Sequence, residues 1–122
     1  MRAFVDTNVI LYSLGRDDEL REACEAIVRA SVNAETPGVV SAEVLQEVFH
    51  VLFRRYGQAR AREALEVVDA SFVSEAVLPE DVLAASQTDD VDGLQARDLV
   101  HLATMRRLGL TRIVSSDRGF DG

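Results

Sequence analysis

Short apolar runs that stop at a carboxylate and give way at once to an amphipathic segment constrain this chain most. The first is Phe4-Val5-Asp6-Thr7-Asn8-Val9-Ile10-Leu11, and Arg112-Ile113-Val114-Ser115-Ser116-Asp117 repeats the pattern near the end. A buried strand with an acid at its carboxyl end suits an open parallel sheet, where ligands bind beyond that edge. Taken alone, Asp6 or Thr7 reads first as a mere cap for the following helix, and it is the recurrence of the pattern that favours a site. Between these segments, Gly38-Val39-Val40 reads as a second strand and Ser71 to Leu78 as a third. Helices are expected over Asn8 to Leu14, Asp17 to Val32, Ala42 to Tyr56, Gln58 to Ala70, Pro79 to Ser86, and from Ala96 to a stop at Gly109. Strands separated by helices imply right-handed crossovers and a sheet covered on both faces. The expected fold is α/β, a three-layer α/β/α sandwich around a central parallel sheet of four to five strands, in a single domain over residues 1–122.

Two helices carry acids in informative places. Ser41 is a natural N-cap for the Ala42 helix, whose Val44, Leu45, Val48, Leu52 and Tyr56 form one stripe, while Glu43, Glu47, His50 and Arg54 form another. Glu47, His50 and Arg54 read as a solvated face, but Glu43 lies in the first turn, at the same sheet edge as Asp6. In the Ala96 helix, Asp98 falls between Leu102 and Met105, so a carboxylate sits inside the apolar face. A buried charge without a partner costs several kcal/mol, so Asp98 needs a metal, a cation or donors such as the free amides of its own helix start. His101, one turn on, reads either as holding a carboxylate or as packing, and packing is the preferred reading.

Composition narrows the chemistry. The formal charge is −8, and all 13 bases are arginine. Without lysine, Walker-type phosphate loops and Schiff-base catalysis are excluded. An acidic chain is also a poor default for a nucleic-acid binder, so the excess acid needs an explanation. Cys24 stands alone, which excludes an internal disulfide. Asp89, Asp90 and Asp92 resemble part of a calcium loop but lack its other ligands, and read as a solvated connection. With no signal peptide and no membrane-length apolar run, the expected location is the cytoplasm.

Taken together, Val5-Asp6-Thr7-Asn8-Val9, Ser41-Ala42-Glu43-Val44 with Glu47, Ala96-Arg97-Asp98-Leu99-Val100-His101-Leu102-Ala103, and Ile113 to Asp121 carry a resemblance. In this order they resemble a PIN-domain ribonuclease, and within that family the toxin half of a VapBC-type toxin–antitoxin pair. The resemblance implies that Asp6, Glu43, Asp98 and Asp117 form an acidic quartet holding one or two Mg²⁺ or Mn²⁺ ions, with Asp121 as an additional acid. It implies that Thr7, Asn8, Ser41, Ser115 and Ser116 orient those acids or position substrate, and that the activity is metal-dependent endonucleolytic cleavage of RNA. A cognate antitoxin would inhibit by filling the acidic cleft, and the apolar positions left over on the Gln58 helix allow a homodimer. Relatives usually continue past the Phe-Asp-Gly turn into a last edge strand, for which this sequence has no counterpart.

Physical chemistry agrees with that implication. Converging carboxylates repel one another unless a cation offsets them, and Mg²⁺ prefers hard oxygen ligands. Two divalent ions would bring the net charge to about −4 and make the cleft attractive to phosphate. Arg16, Arg97 and Arg118, adjacent to the motifs, are candidates for the remaining RNA contacts. The alternative is a catalytically silent PIN-fold module that binds RNA or an antitoxin. A phosphatase of the haloacid-dehalogenase type wants a second acid where Asn8 stands, and a response-regulator receiver wants a lysine.

Overall fold

The computed structural model of the protein describes residues 2–13, 26, 29–30, 38–89 and 93–115. The strands are β1 (Phe4–Val5), β2 (Val39–Ser41), β3 (Val73–Glu75) and β4 (Ile113–Val114). The helices are α1 (Thr7–Ser13), α2 (Ala42–Tyr56), α3 (Gln58–Ser71), α4 (Pro79–Ser86) and α5 (Ala96–Leu108). Among the described residues the sheet has four strands in the order β3-β2-β1-β4, all parallel. With helices flanking it, the architecture is the expected three-layer α/β/α sandwich. The expected Asp17 to Val32 helix and Cys24 lie outside the described residues, apart from isolated positions.

Strand order decides where a site can form. The chain steps outward from β1 to β2 to β3, then returns to add β4 on the other side of β1. The pairings Phe4 with Val39, Phe4 with Ile113 and Val5 with Val114 align the carboxyl ends of β1, β2 and β4 along one edge. The sequence order reverses between β1 and β4, which opens a crevice at that edge. Asp6 follows β1 there, and its amide donates to the carbonyl of Val114 at 2.9 Å.

The core is built from β1, β2 and the inner stripes of the helices. Phe4, Val5, Val40, Val9, Ile10, Val44, Val48, Leu52, Ala61, Val68, Phe72 and Met105 are buried together. Gly38 is required by space. A Cβ there would meet Val5 Cγ2 at 2.9 Å and the Phe72 ring at 3.1 Å, so the start of β2 fits only a residue without a side chain. Gly57, at φ 86°, makes the turn from α2 to α3 in a conformation that other residues rarely adopt.

Several local expectations shift. The third strand is shorter than Ser71 to Leu78, because Ser71 stays in α3 with its hydroxyl donating to the Val67 carbonyl at 2.7 Å. At its other end, Leu78 becomes the N-cap residue of α4. Tyr56, expected on the inner stripe of α2, is exposed in the last turn, where the Arg60 guanidinium lies 5.1 Å from its ring centroid. Among the described residues, no helix is long and apolar enough to cross a membrane.

Candidate active site

Three separated segments deliver acids to the crevice. Asp6 arrives at the end of β1 and is 5% exposed. Its Oδ1 accepts from the Thr7 amide at 2.8 Å and its Oδ2 from the Ser115 hydroxyl at 3.0 Å. An ordinary N-cap accepts from an amide two or three residues on, so Asp6 is not held as a simple cap. The two donors, one from β1's own exit and one from the end of β4, instead set the plane of the carboxylate.

Asp98 sits in the first turn of α5 and is 4% exposed. Its Oδ2 accepts from the Gln95 amide at 2.7 Å, so the relief offered by the helix start is realised. Asp81 does the same at the start of α4, where its Oδ2 accepts from the Leu78 amide at 2.8 Å. Asp81 is further engaged by Arg107 Nε at 2.9 Å and, like Asp98, is buried. Arg107 also donates to the Ala76 carbonyl at 2.8 Å, which ties α5 to the segment before α4.

Glu43 and Glu47 come from α2. Ser41 caps this helix, its Oγ accepting from the Val44 amide at 3.2 Å, and this places Glu43 in the first turn beside the sheet edge. Burial pushes the Glu43 carboxyl above its ordinary 4.5; nearby His101 and Arg97 oppose the rise, and Glu47 and Asp98 add to it. Glu47 is not the solvated residue the polar stripe suggested. Its Oε2 lies 3.6 Å from Arg97 Nη1, while its Oε1 is buried without a hydrogen-bond partner among the described residues.

His101 occupies the middle of this group. It is 1% exposed, and its Nε2 lies 3.7 Å from both Asp6 Oδ1 and Glu47 Oε1. Neither ring nitrogen has a hydrogen-bond partner among the described residues. The Phe4 ring, 5.3 Å away between centroids and tilted by 47°, holds the imidazole from β1. Both readings of His101 meet here, since its ring packs on Phe4 and its polar edge faces carboxylates.

The donor set suits a hard divalent cation: clustered carboxylates, an elevated Glu43 and a buried Glu47 oxygen lacking a partner all gain from one. Among the described residues, Glu43, Glu47 and His101 bring one ligand atom each to within 4.8 Å of one another. Asp6 and Asp98 border this group without joining it at that distance. Thr7 Oγ1 is buried beside Asp6 with no hydrogen-bond partner among the described residues. Asn8 lines a separate hollow with Leu11, Tyr12, Val51 and Arg55. Asp117, Asp121, Ser116, Arg16 and Arg118 lie outside the described residues.

An open groove of about 420 Å³ adjoins the acids, lined by Glu43, Gln46, Glu47, His50, Val51 and Arg97. It shares His50 and Val51 with a neighbouring hollow that Arg54 and Arg55 also line. His50 and Arg54 are exposed, as the sequence reading had them. His50 lines this groove and Arg54 only the neighbouring hollow.

The PIN-domain family pattern matches residues 3–122. The chain belongs to the PIN-domain family. This PIN domain is 36% identical over 115 residues to ribonuclease VapC23 of Mycobacterium tuberculosis, covering 93% of this chain and 91% of that protein. It is 34% identical over 128 residues to ribonuclease VapC13 of the same organism, covering 96% of this chain and 91% of the relative. Its fold is also that of VapC20 of M. tuberculosis, described as a toxin that cleaves the sarcin–ricin loop. There the TM-score is 0.79 at 21% identity, over 98% of this chain and 92% of the other.

Proposed function

We propose that this PIN domain is an endoribonuclease that hydrolyses RNA phosphodiester bonds with a divalent cation, Mg²⁺ or Mn²⁺, and that it is the toxin of a VapBC-type pair. One observation carries the reading: buried Asp6 and Asp98 lie by Glu43 and Glu47, which line the groove, at the edge where the strand order reverses between β1 and β4. The family and the ribonuclease relatives support it.

Asp6, Glu43 and Asp98 would hold one or two ions, with Asp117 and Asp121 as further ligands. When bound, such an ion polarises the scissile phosphate and lowers the pKa of the attacking water. The chain's own groups prepare the place. The Thr7 amide and the Ser115 hydroxyl fix the Asp6 carboxylate, and the Gln95 amide fixes that of Asp98. Ser41 sets the start of α2 and with it the position of Glu43. Arg97, half exposed at the groove, is available to a phosphate once it leaves Glu47, and Arg54 and Arg55 extend the cationic side of that track. Hydrolysis in this mode leaves a 5′-phosphate and a 3′-hydroxyl. The work would take place in the cytoplasm, within a single domain over residues 1–122, with a cognate antitoxin closing the groove.

A silent RNA- or antitoxin-binding module has one observation in its favour, the capping duty of Asp98, which such a protein would also need. The test is cleavage of a broad RNA panel with Mg²⁺ or Mn²⁺ and sequencing of the ends. Cleavage lost to EDTA supports the nuclease; persistent inactivity of metal-loaded protein favours the module.

A further inference from the structure

We propose that the hollow between α1 and α2 seats one unpaired base of an RNA strand, whose phosphates lie across His50, Arg54 and Arg55 on the way to the groove of acids. The hollow has a volume of about 200 Å³ and is lined by Asn8, Leu11, Tyr12, Val51 and Arg55. Helical spacing brings these residues together. Asn8, Leu11 and Tyr12 stand at i, i+3 and i+4 on α1, and Val51 and Arg55 at i and i+4 on α2. Leu11, Val51 and the Tyr12 ring make apolar walls, and the Asn8 carboxamide and the Arg55 guanidinium are the polar groups. Apolar walls with a few hydrogen-bonding groups suit a nucleobase, which has flat faces and a polar edge. The carboxamide presents a donor beside an acceptor, complementary to the edge of adenine, so Asn8 can tell one base from another.

Continuity and charge favour RNA as the occupant. Val51 lines this hollow, the neighbouring one with His50, Arg54 and Arg55, and the groove with Glu43 and Glu47, so the three openings run into one another along α2. Along that helix the charge changes sign: Glu43 and Glu47 stand toward its start, and His50, Arg54 and Arg55 toward its end. Glu47 and Arg54 are separated by about 10 Å of helix axis, so a strand held at the acids brings a neighbouring nucleotide over the arginines. In a chain of net charge −8, neither of the two outer hollows has an acid among its described lining residues. The guanidinium groups there attract phosphate, while the small hollow admits a single base, so the strand is unpaired at that point.

This base subsite rests on the nuclease reading for what the strand is there to do, but its test does not depend on cleavage. The full-length protein in EDTA is titrated with the 5′-mononucleotides of adenine, guanine, cytosine and uracil and, separately, with ribose 5-phosphate. Nuclear magnetic resonance follows the Asn8 carboxamide, the Val51 methyls and the Arg54 and Arg55 Nε groups. Mononucleotides should shift all of them, and ribose 5-phosphate only the arginines. Asn8→Ala should weaken the tightest nucleotide at least about fivefold and narrow the differences among the bases, with circular dichroism unchanged. Arg55→Gln, at an exposed position, should weaken all the nucleotides by a similar factor. Shifts at Asn8 and Val51 no larger with mononucleotides than with ribose 5-phosphate overturn the proposal, as does wild-type affinity and base preference in Asn8→Ala. Shifts of the same groups by N-acetyltryptophan amide but not by mononucleotides also overturn it, and assign the hollow to a side chain of a protein partner. Cleavage of RNA with Mg²⁺, assayed on the same preparation, reports on the nuclease reading independently.

Discussion

His101 Nε2 stands 3.7 Å from Asp6 Oδ1, joining the fifth helix to the end of the first strand inside a pocket of carboxylates. That contact exists because β4 returns to the side of β1 and carries α5's stop with it, so residues from opposite ends of the chain share one edge. The consequences can be measured one group at a time.

Ser115 holds Asp6 from the neighbouring strand end, donating at 3.0 Å. Ser115→Ala should cost about 1 kcal/mol of stability in urea unfolding, the worth of one hydrogen bond. With Asp6 as a proposed metal ligand, losing its orienting partner should lower Mg²⁺ affinity, measured by calorimetry, about tenfold or more. An unchanged affinity would mean that Asp6 is oriented by other groups.

Glu43 has a pH signature. Its folded pKa is raised, so the associated stability is fully present below the ordinary 4.5 and lost as pH rises through the folded value. Metal-free protein should therefore lose stability over that window. Glu43→Gln cannot titrate, and at neutral pH its thermal midpoint should exceed that of the metal-free wild type by roughly 1–2 °C after solvent screening. Added Mg²⁺ should reverse the order, since Glu43 is among its proposed ligands and the wild type would bind it more tightly. Scanning calorimetry at several pH values, with and without Mg²⁺, checks both.

Asp81 has the opposite sign. Burial pushes its carboxyl up, but Arg107, the Leu78 amide and Thr104 outweigh this and hold it below the ordinary 3.8. Its contribution is present above 3.8 and lost as pH falls through the folded pKa. Asp81→Asn should cost about 1–2 kcal/mol at neutral pH, through the lost cap and charged hydrogen bond, and the difference should shrink in strong acid. Urea titrations across that range measure it.

Gly38 is tested by a single methyl group. Gly38→Ala drives a Cβ against Val5 and Phe72 at the β1–β2 contact and should destabilise by about 1–3 kcal/mol. Pairing it with Phe72→Leu, which opens space, should recover part of the loss.

Much of the scaffold was legible because local chemistry and tertiary position agree. Ser41 caps α2, Val44, Val48 and Leu52 bury its stripe, and Pro79 opens α4 where expected. The α3–β3 boundary was not, since Ser71 is held by a side-chain bond to its own helix that hydrophobic pattern does not register. At the candidate site, the inward placement of Asp98 was visible from its position within an apolar face. Glu47 was misjudged, and His101 left between packing and holding a carboxylate, because periodicity says which residues share a face, not what lies opposite it. The packing of α5 puts His101 and Asp98 beside Glu43 and Glu47, while His50 and Arg54, further along the same stripe, stay exposed.

The most direct measurement is single-turnover cleavage of RNA with Mg²⁺ by the wild type, Asp6→Asn and Asp98→Asn, with metal binding measured by calorimetry on the same samples. The expected result is loss of cleavage by about a hundredfold or more in both folded variants, accompanied by weakened Mg²⁺ binding. Undiminished cutting by either folded variant would contradict it.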